Sequence, residues 1–413
     1  MTDAVDLADL TGIYRDLHAH PELSFAEHRT AGIVAARLRD LGYQTTTGVG
    51  RTGVVGVLAN GGGPTVLLRA DMDALPVLER TGLDYASTER GTSVDGQDVP
   101  VMHACGHDAH VTCLLGAAAA LAGAAGDWSG RLVLVFQPAE EVGEGAQAMI
   151  DDGLFDRFGV PDVVLGQHVA PMPAGLLGVR SGPAFAAADS LRVMLYGRGG
   201  HGSRPEATVD PVLMAAATVQ RLHAIVSREL AATDAGVLTV GALRAGTAPN
   251  VIPDEAELLL TVRSYDPAVR GKMLAAIERI VAAEAAASGA TTAPTVTSLG
   301  AFPAVVNDAA ACAKVTDAFA AGPGLVIDPG LVTGSEDVGL LATAAGAPCA
   351  YWLLGSADPA HFAGVTSLDE AKAIVDTLPS NHSPLFAPVI EPTLRAGVAA
   401  LTSAARAWLA PSA

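Results

Sequence analysis

Three apolar runs in the first half of the chain each end on a short polar signature, and this repetition limits the fold more than any other feature. Thr65–Arg69 leads into Asp71-Met-Asp73-Ala-Leu-Pro76, Arg131–Phe136 into Gln137-Pro-Ala-Glu140-Glu141, and Asp162–Leu165 into Gly166-Gln167-His168. Short apolar runs bounded by turn formers read as buried strands. In α/β sheets the edge at the strands' C-terminal ends is where sites are built. Between the first and second runs lies residues 101–110, which holds His103, Cys105, His107, Asp108 and His110, three of the eleven histidines and one of the four cysteines. Thiolate and imidazole bind borderline metals such as zinc, and carboxylates complete or orient such sites. With Asp-x-Asp upstream and Glu-Glu downstream, the density of donors points to a metal site.

A chain of 413 residues is too long for one ordinary core, so two domains are the default. Half of it is hydrophobic and 17% is charged, a globular balance. A formal charge of −19 argues against nucleic acid as a partner. Cys105, Cys113, Cys312 and Cys349 are too few and too scattered for a disulfide framework, which fits a reducing cytoplasm. The polar, acidic N-terminus carries no signal-peptide pattern, and the Ala-rich run at 117–125 is too short and Gly-broken to span a bilayer. The expectation is a cytoplasmic protein with no membrane partner.

Periodicity places helices at 4–19, after a Ser24–Glu27 capping-box pattern, and at 108–122, with strands at 54–58, 65–69, 131–136 and 162–165. Residues 84–100 and 355–380 read as long rim loops. Near 188 the texture changes. Alternation at 190–196, a helix from Asp210-Pro211, strands at 236–243 and 255–264, a helix at 267–287 and a strand near 294–299 give the β-α-β-β-α-β order of a ferredoxin-like split motif. The expected fold class is therefore α/β, a mixed sheet flanked by helices with an inserted ferredoxin-like domain. The expected divisions are 1–187, 188–300 and 301–413. Helices at 308–320, 336–345 and 389–409 and a strand at 350–354 complete the last part.

Cys105 as thiolate can bridge two ions, and His107 reaches one of them. Glu140 and Glu141 are adjacent, so on an extended strand end one can bind metal while the other faces substrate as a base. A solvated pair is the plainer alternative. His168 and His382 are isolated, and each gains from its setting, at a strand end and beside Pro384 in a turn. Asp71 and Asp73 are candidates for ligands, orienting partners or helix caps. His103 and His110 read as supporting, His223 as structural, and His18 and His20 have no case beyond clustering. His201 follows a Gly-rich turn and on its residues alone is equally a turn histidine.

These residues resemble the metal-dependent amidohydrolases of the aminoacylase and carboxypeptidase G superfamily. The similarity is greatest to the branch of hippurate hydrolases, indole-acetyl-amino-acid hydrolases and N-acyl-amino-acid amidohydrolases. It rests on His18-x-His20-Pro21-Glu22, Arg69-Ala-Asp71-Met-Asp73, Met102-His-Ala-Cys105-Gly-His107-Asp108, Gln137-Pro-Ala-Glu140-Glu141, Gly199-Gly-His201-Gly-Ser-Arg-Pro205, Asn250-Val-Ile-Pro253, Gly334-Ser-Glu-Asp337 and Asn381-His382. Much of the wider superfamily has His where Asp71 stands and Asp where Cys105 stands, so the chain matches the Cys-containing branch. The resemblance implies a zinc-peptidase-like catalytic sheet and two divalent ions (zinc, manganese, nickel or cobalt) on Cys105, His107, Glu141, His168 and His382. It implies Glu140 as general base and His201 at the oxyanion; Asp73 is taken as an orienting partner, and Asn250 and Arg263 as candidates for the substrate carboxylate. It also implies N-acyl or N-aroyl amino acids as substrates and a homodimer formed through the inserted lid and dimerisation domain. A surface salt bridge is the simpler reading of Arg263. The competing functions are a dipeptidase or carboxypeptidase with the same site, a cysteine-nucleophile hydrolase using Cys105 and His107, and a non-catalytic binding homologue.

Overall fold

The computed structural model describes residues 6–411 apart from 95 and 323. In chain order, α1 (Leu7–Ala19) is capped by the Asp6 carboxylate, which accepts from the backbone of Ala8 and Asp9. Residues 4 and 5 of the helix expected at 4–19 lie outside the described residues. Next come α2 (His28–Asp40), β1 (Gln44–Val49), β2 (Gly53–Asn60), β3 (Thr65–Asp71), α3 (His107–Gly123), β4 (Trp128–Gln137) and β5 (Val163–Pro173). They are followed by β6 (Ala187–Tyr196), α4 (Pro211–Ala224), β7 (Gly236–Ala245), β8 (Glu255–Ser264), α5 (Pro267–Ala287) and β9 (Thr295–Phe302). The chain closes with α6 (Ala309–Ala320), α7 (Val338–Ala345), β10 (Cys349–Ala357), α8 (Leu368–Val375) and α9 (Ile390–Trp408).

Internal contacts divide the chain into two units. One comprises Met1–Gly182, Val306–Gly330 and Asp337–Ala413, the other Pro183–Val305 and Leu331–Glu336. The first unit is built on a mixed sheet in the order β1-β2-β4-β3-β5-β10, extended by the two-residue strands Leu177–Gly178 and Val326–Ile327. β1, β2 and β4 pair antiparallel, while β4, β3, β5 and β10 pair parallel. That parallel centre aligns the C-terminal ends of β3, β4 and β5 on one edge, as the repeated polar signatures require. Strand interiors are fully buried, as expected for a sheet covered on both faces. α3 is rich in alanine and buried on most sides; it packs on α1, β3 and α9. Small residues let these helices approach closely. A Cβ on Gly397 of α9 would come within 2.5 Å of Cys113 Sγ and 2.7 Å of both Gln167 and Leu354.

The second unit has the sheet order β7-β8-β6-β9, all antiparallel, with α4 and α5 packed against it. This is the ferredoxin-like arrangement. Its strands alternate buried and wet residues, and Leu191, Val193, Leu195, Leu258, Leu260 and Val262 point into the core with Met273 and Ile277. Asp210 and Asp266 cap α4 and α5, each followed by proline at the first helical position.

Four expectations need correction. The strand expected to end at residue 165 runs to Pro173, so His168 lies inside β5, not beyond it. The 355–380 segment is not all loop, since it contains a short helical turn, Pro359–Phe362, and α8. The 84–100 segment carries a small hairpin pairing Arg90–Thr92 with Asp98–Pro100, and residue 95 lies outside the described residues. Ser24 and Glu27 do not form a capping box: α2 has no side-chain cap from Glu27, and Glu22 accepts from the backbone of Arg29 and Thr30 instead.

Candidate metal centre

Four stretches of the first unit converge at the C-terminal edge of its sheet. Cys105 ends the loop before α3, and His107 is that helix's first residue. Gly106 between them adopts φ 83°, and a Cβ there would stand 2.4 Å from Val169, so the sharp turn that aims both donors inward needs glycine. Glu140 and Glu141 follow β4 after Ala139, which itself holds φ 51°. His168 comes from β5, and His382 from a turn in left-handed backbone, φ 71°.

The donor atoms form overlapping triads. Those of Cys105, His107 and His168 lie within 4.8 Å of one another, as do those of Cys105, Glu141 and His382 and those of His107, Glu140 and Glu141. Cys105 Sγ is 3.5 Å from His168 Nε2, and His382 Nε2 is 3.3 Å from Glu141 Oε2. His107 Nε2 stands 3.8 Å from Glu141 and 3.9 Å from Glu140. His107, His110 and His168 lie ring to ring.

Behind these donors is a layer that sets their orientation. Asp73 faces His107 Nδ1 at 3.3 Å, and it accepts from the backbone N–H of Glu140 at 3.1 Å, that of Glu141 at 3.0 Å and the Ser24 hydroxyl at 2.7 Å. His168 Nδ1 donates to Val169 O at 2.8 Å, which turns the Nε2 lone pair toward Cys105. His110 bridges Asp71, at 2.5 Å, and the Val169 N–H, at 2.8 Å. Asn381 donates to the carbonyls of Cys105 and Val169, each at 3.2 Å. Deeper still, the buried Arg69 guanidinium holds Asp71 at 2.6 Å, Asp337 at 2.9 Å and Gln137 at 2.9 Å, while Asp337 also accepts from Gln137 and the Ala146 N–H.

The donor set fits divalent cations. His107 Nε2 and Glu141 Oε1 are buried with no hydrogen-bond partner among the described residues. Burial, joined by the charges of Glu141, Glu140 and Asp71, pushes the Cys105 thiol well up, so its thiolate needs a neighbouring cation. Burial, with the His110 charge, holds His168 well down, in the neutral form a ligand requires. Burial opposes charge on His107 too, yet Asp71, Asp73 and Glu141 hold it up at about 10. The cluster is rich in negative charge and calls for positive charge at its centre.

The other expected site residues belong to the second unit. His201 pairs in a short ladder with Val251, beside Asn250, whose carbonyl accepts from Gly202. Both are exposed, and His201 Nδ1 is engaged by the Ser203 hydroxyl at 2.7 Å. Arg263 makes no surface salt bridge among the described residues: its Nη1 donates to Thr333 O at 2.7 Å and Ser335 Oγ at 3.2 Å, tying down that unit's returning segment. The sequence assigned no role to Glu27 as a buried acceptor, to Asn381 or to the Arg69–Asp337 network, although Asn381, Arg69 and Asp337 all stand in the motifs that carry the resemblance.

Residues 67–373 match the model of peptidase family M20/M25/M40. The chain belongs to this family. It is 43% identical to a hippurate hydrolase of Campylobacter jejuni over 271 residues, 64% of this chain and 68% of that one. It is 40% identical to thermostable carboxypeptidase 1 of Saccharolobus solfataricus over 284 residues, 68% of this chain and 69% of that one. A solved Bacillus subtilis structure, a dinuclear metal binding peptidase from the M20 family, superposes with a TM-score of 0.77 at 27% identity, covering 97% of this chain and 98% of that one. As a member of this M20/M25/M40 family the chain is a metal-dependent hydrolase of amide bonds, and its fold is that of the family's dinuclear-metal enzymes.

Proposed function

We propose that the chain hydrolyses the amide bond of N-acyl or N-aroyl amino acids to a carboxylic acid and an amino acid, with Cys105, His107, Glu141, His168 and His382 as ligands of two divalent ions. The observation that carries this reading is the pair of donor triads sharing Cys105 beside a second, adjacent carboxylate, Glu140. The ions, zinc, manganese, nickel or cobalt, supply Lewis acidity that polarises the scissile carbonyl and makes water a nucleophile near neutral pH. Glu140 accepts the proton of the attacking water and delivers it to the leaving nitrogen. Asp73 holds the backbone of both glutamates and the His107 ring, so base and ligand keep a fixed relation. His201 donates to the developing oxyanion. Asn250 meets the substrate carboxylate, and Arg263 serves it only through guanidinium nitrogens other than Nη1.

The decisive experiment compares wild type with Glu140→Gln on hippurate and N-acetyl amino acids. The variant keeps its metal content and loses kcat by about 10²–10⁴-fold. Turnover unaffected by the substitution sinks the assigned base. The relative named as a carboxypeptidase supports a second reading with the same site. Preference for peptides with a free α-amino group over their N-acyl counterparts selects it. A cysteine-nucleophile mechanism requires activity that survives a strong chelator, and the raised thiol of Cys105 speaks against it.

The finer biology follows the same reading. All four cysteines are free and buried, in keeping with a reducing cytoplasm. Among the described residues no helix is long and apolar enough to cross a membrane. The second unit works as lid and dimerisation domain, with β7 as its pairing edge: this ten-residue edge strand leaves Val237 and Leu243 exposed.

A further inference from the structure

Four non-glycine residues among those described hold left-handed backbone: Phe25 (φ 60°), Arg51 (φ 83°), Ala139 (φ 51°) and His382 (φ 71°). One is a candidate ligand. The other three gather around a single fully buried carboxylate, that of Glu27. Glu27 Oε1 accepts from the N–H of Phe25 and from the N–H of Ala139, each at 2.9 Å. Its other oxygen takes the hydroxyl of Thr52, the neighbour of Arg51. The Arg51 guanidinium in turn lies 4.1 Å from the centre of the Phe25 ring. Left-handed non-glycine residues cost energy and persist where the surroundings over-determine them, which is typical of functional sites.

Glu27 stands where a helix cap belongs, but α2 is capped by Glu22, so the Glu27 carboxylate is spared for the turn across the sheet edge. Ala139 is the last residue before Glu140. The same short segment reaches the turn a second time, since the Ser24 hydroxyl donates to the Asp73 oxygen that accepts from the Glu141 N–H. Two side chains three positions apart thus hold the two ends of the tripeptide that bears both carboxylates, Glu27 directly at Ala139 and Ser24 through Asp73 at Glu141.

We propose that Glu27 is a positioning residue of the reaction: by accepting the Ala139 N–H it fixes the left-handed residue from which Glu140 and Glu141 depart, and so sets where both carboxylates stand against His107. This rests on the reading of Glu140 as base and Glu141 as ligand. It assigns a chemical task to a residue whose sequence context resembles only a helix start.

The test uses the full-length, metal-reconstituted enzyme and four variants, with steady-state kinetics and calorimetric Mn²⁺ binding to the apo form as separate readouts. Glu27→Ala lowers kcat by about 10- to 100-fold with KM held within about threefold, because a displacement of about 1 Å in a catalytic group has that effect. It also weakens Mn²⁺ binding by about tenfold or more, as loss of outer support to ligands does. Glu27→Gln, whose amide oxygen still accepts from Ala139, recovers most of both. Glu27→Asp, shorter by one methylene, cannot reach Ala139 and Thr52 together and behaves like Glu27→Ala, which keeps the test available if the alanine variant does not fold. The proposal is overturned if the Ala and Asp variants keep kcat and Mn²⁺ affinity within about twofold while losing only thermal stability. It is equally overturned if Gln falls as far as Ala. Glu140→Gln separates the two readings. Full turnover in that variant removes the base assignment while the Mn²⁺ affinities still decide for or against Glu27.

Discussion

His18 is fully buried and shared by two carboxylates, with Nδ1 2.6 Å from Asp108 and Nε2 3.1 Å from Glu79. Burial alone lowers its pKa, but hydrogen bonds to Asp108 and Glu79 more than reverse this and hold it up at about 10. A histidine raised in the folded state contributes stability fully below its unfolded pKa near 6.5 and loses it as pH rises through the folded value. Urea denaturation of wild type and His18→Gln therefore shows a gap that is widest at pH 6 and closes through about pH 10. A gap constant across that window contradicts the imidazolium. Asp73 leads to a second expectation. It holds His107, Glu140 and Glu141 at once, so Asp73→Ala weakens metal binding by about 10–100-fold, measured by competition with a chromophoric chelator. The sequence offered Asp73 as a ligand, an orienting partner or a helix cap, and its contacts to His107, Glu140 and Glu141 favour the second of these. It left His18 and Glu27 opaque, because their partners Asp108 and Ala139 are 90 and 112 positions away. Local pattern carries no information about such contacts.

Elements with a clean period were readable and those shaped by tertiary contact were not. α5 begins and ends at the bounds expected for it, 267 and 287. β5 runs eight residues past its apolar core because β10 pairs with it through Pro173, a contact that no local signal announces. The 24–27 pattern misled for a related reason. Ser24 and Glu27 have the spacing of a capping box, yet the buried carboxylate of Asp73 and the N–H of Ala139 compete for them and win. Close packing between elements makes its own prediction. α9 meets α3 and the sheet through Gly397, where an added methyl would stand 2.5 Å from Cys113 and 2.7 Å from Leu354. Gly397→Ala gains helix propensity but overpacks a filled interior, which costs about 1–3 kcal/mol. A lowered denaturation midpoint at unchanged slope is the expected result. An unchanged or raised midpoint would show that α9 can shift away from the sheet at no cost.

At the scale of the molecule, the five candidate ligands all lie in the first unit, and the second unit contributes none of them. The texture of the sequence changes near residue 188 and the second unit begins at Pro183, but how four distant stretches meet at one sheet edge depends on strand order, which the sequence does not state. The division has a thermodynamic consequence. Ions that bind only the folded site stabilise it by mass action, about 2.7 kcal/mol at a hundredfold excess over Kd. Their loss also leaves Glu140, Glu141, Asp71 and Asp73 close together in a chain that already carries a formal charge of −19. Chelation therefore abolishes turnover and lowers the melting temperature by several degrees, and adding back a divalent ion restores both. In scanning calorimetry the displaced heat belongs to the first unit. If the two units melt as separate transitions, only one moves on chelation, and a substitution in the core of the second unit, such as Ile277→Ala, moves the other. Both transitions shifting together on chelation would instead show that the units unfold as one cooperative body, coupling the metal centre to the unit that carries His201.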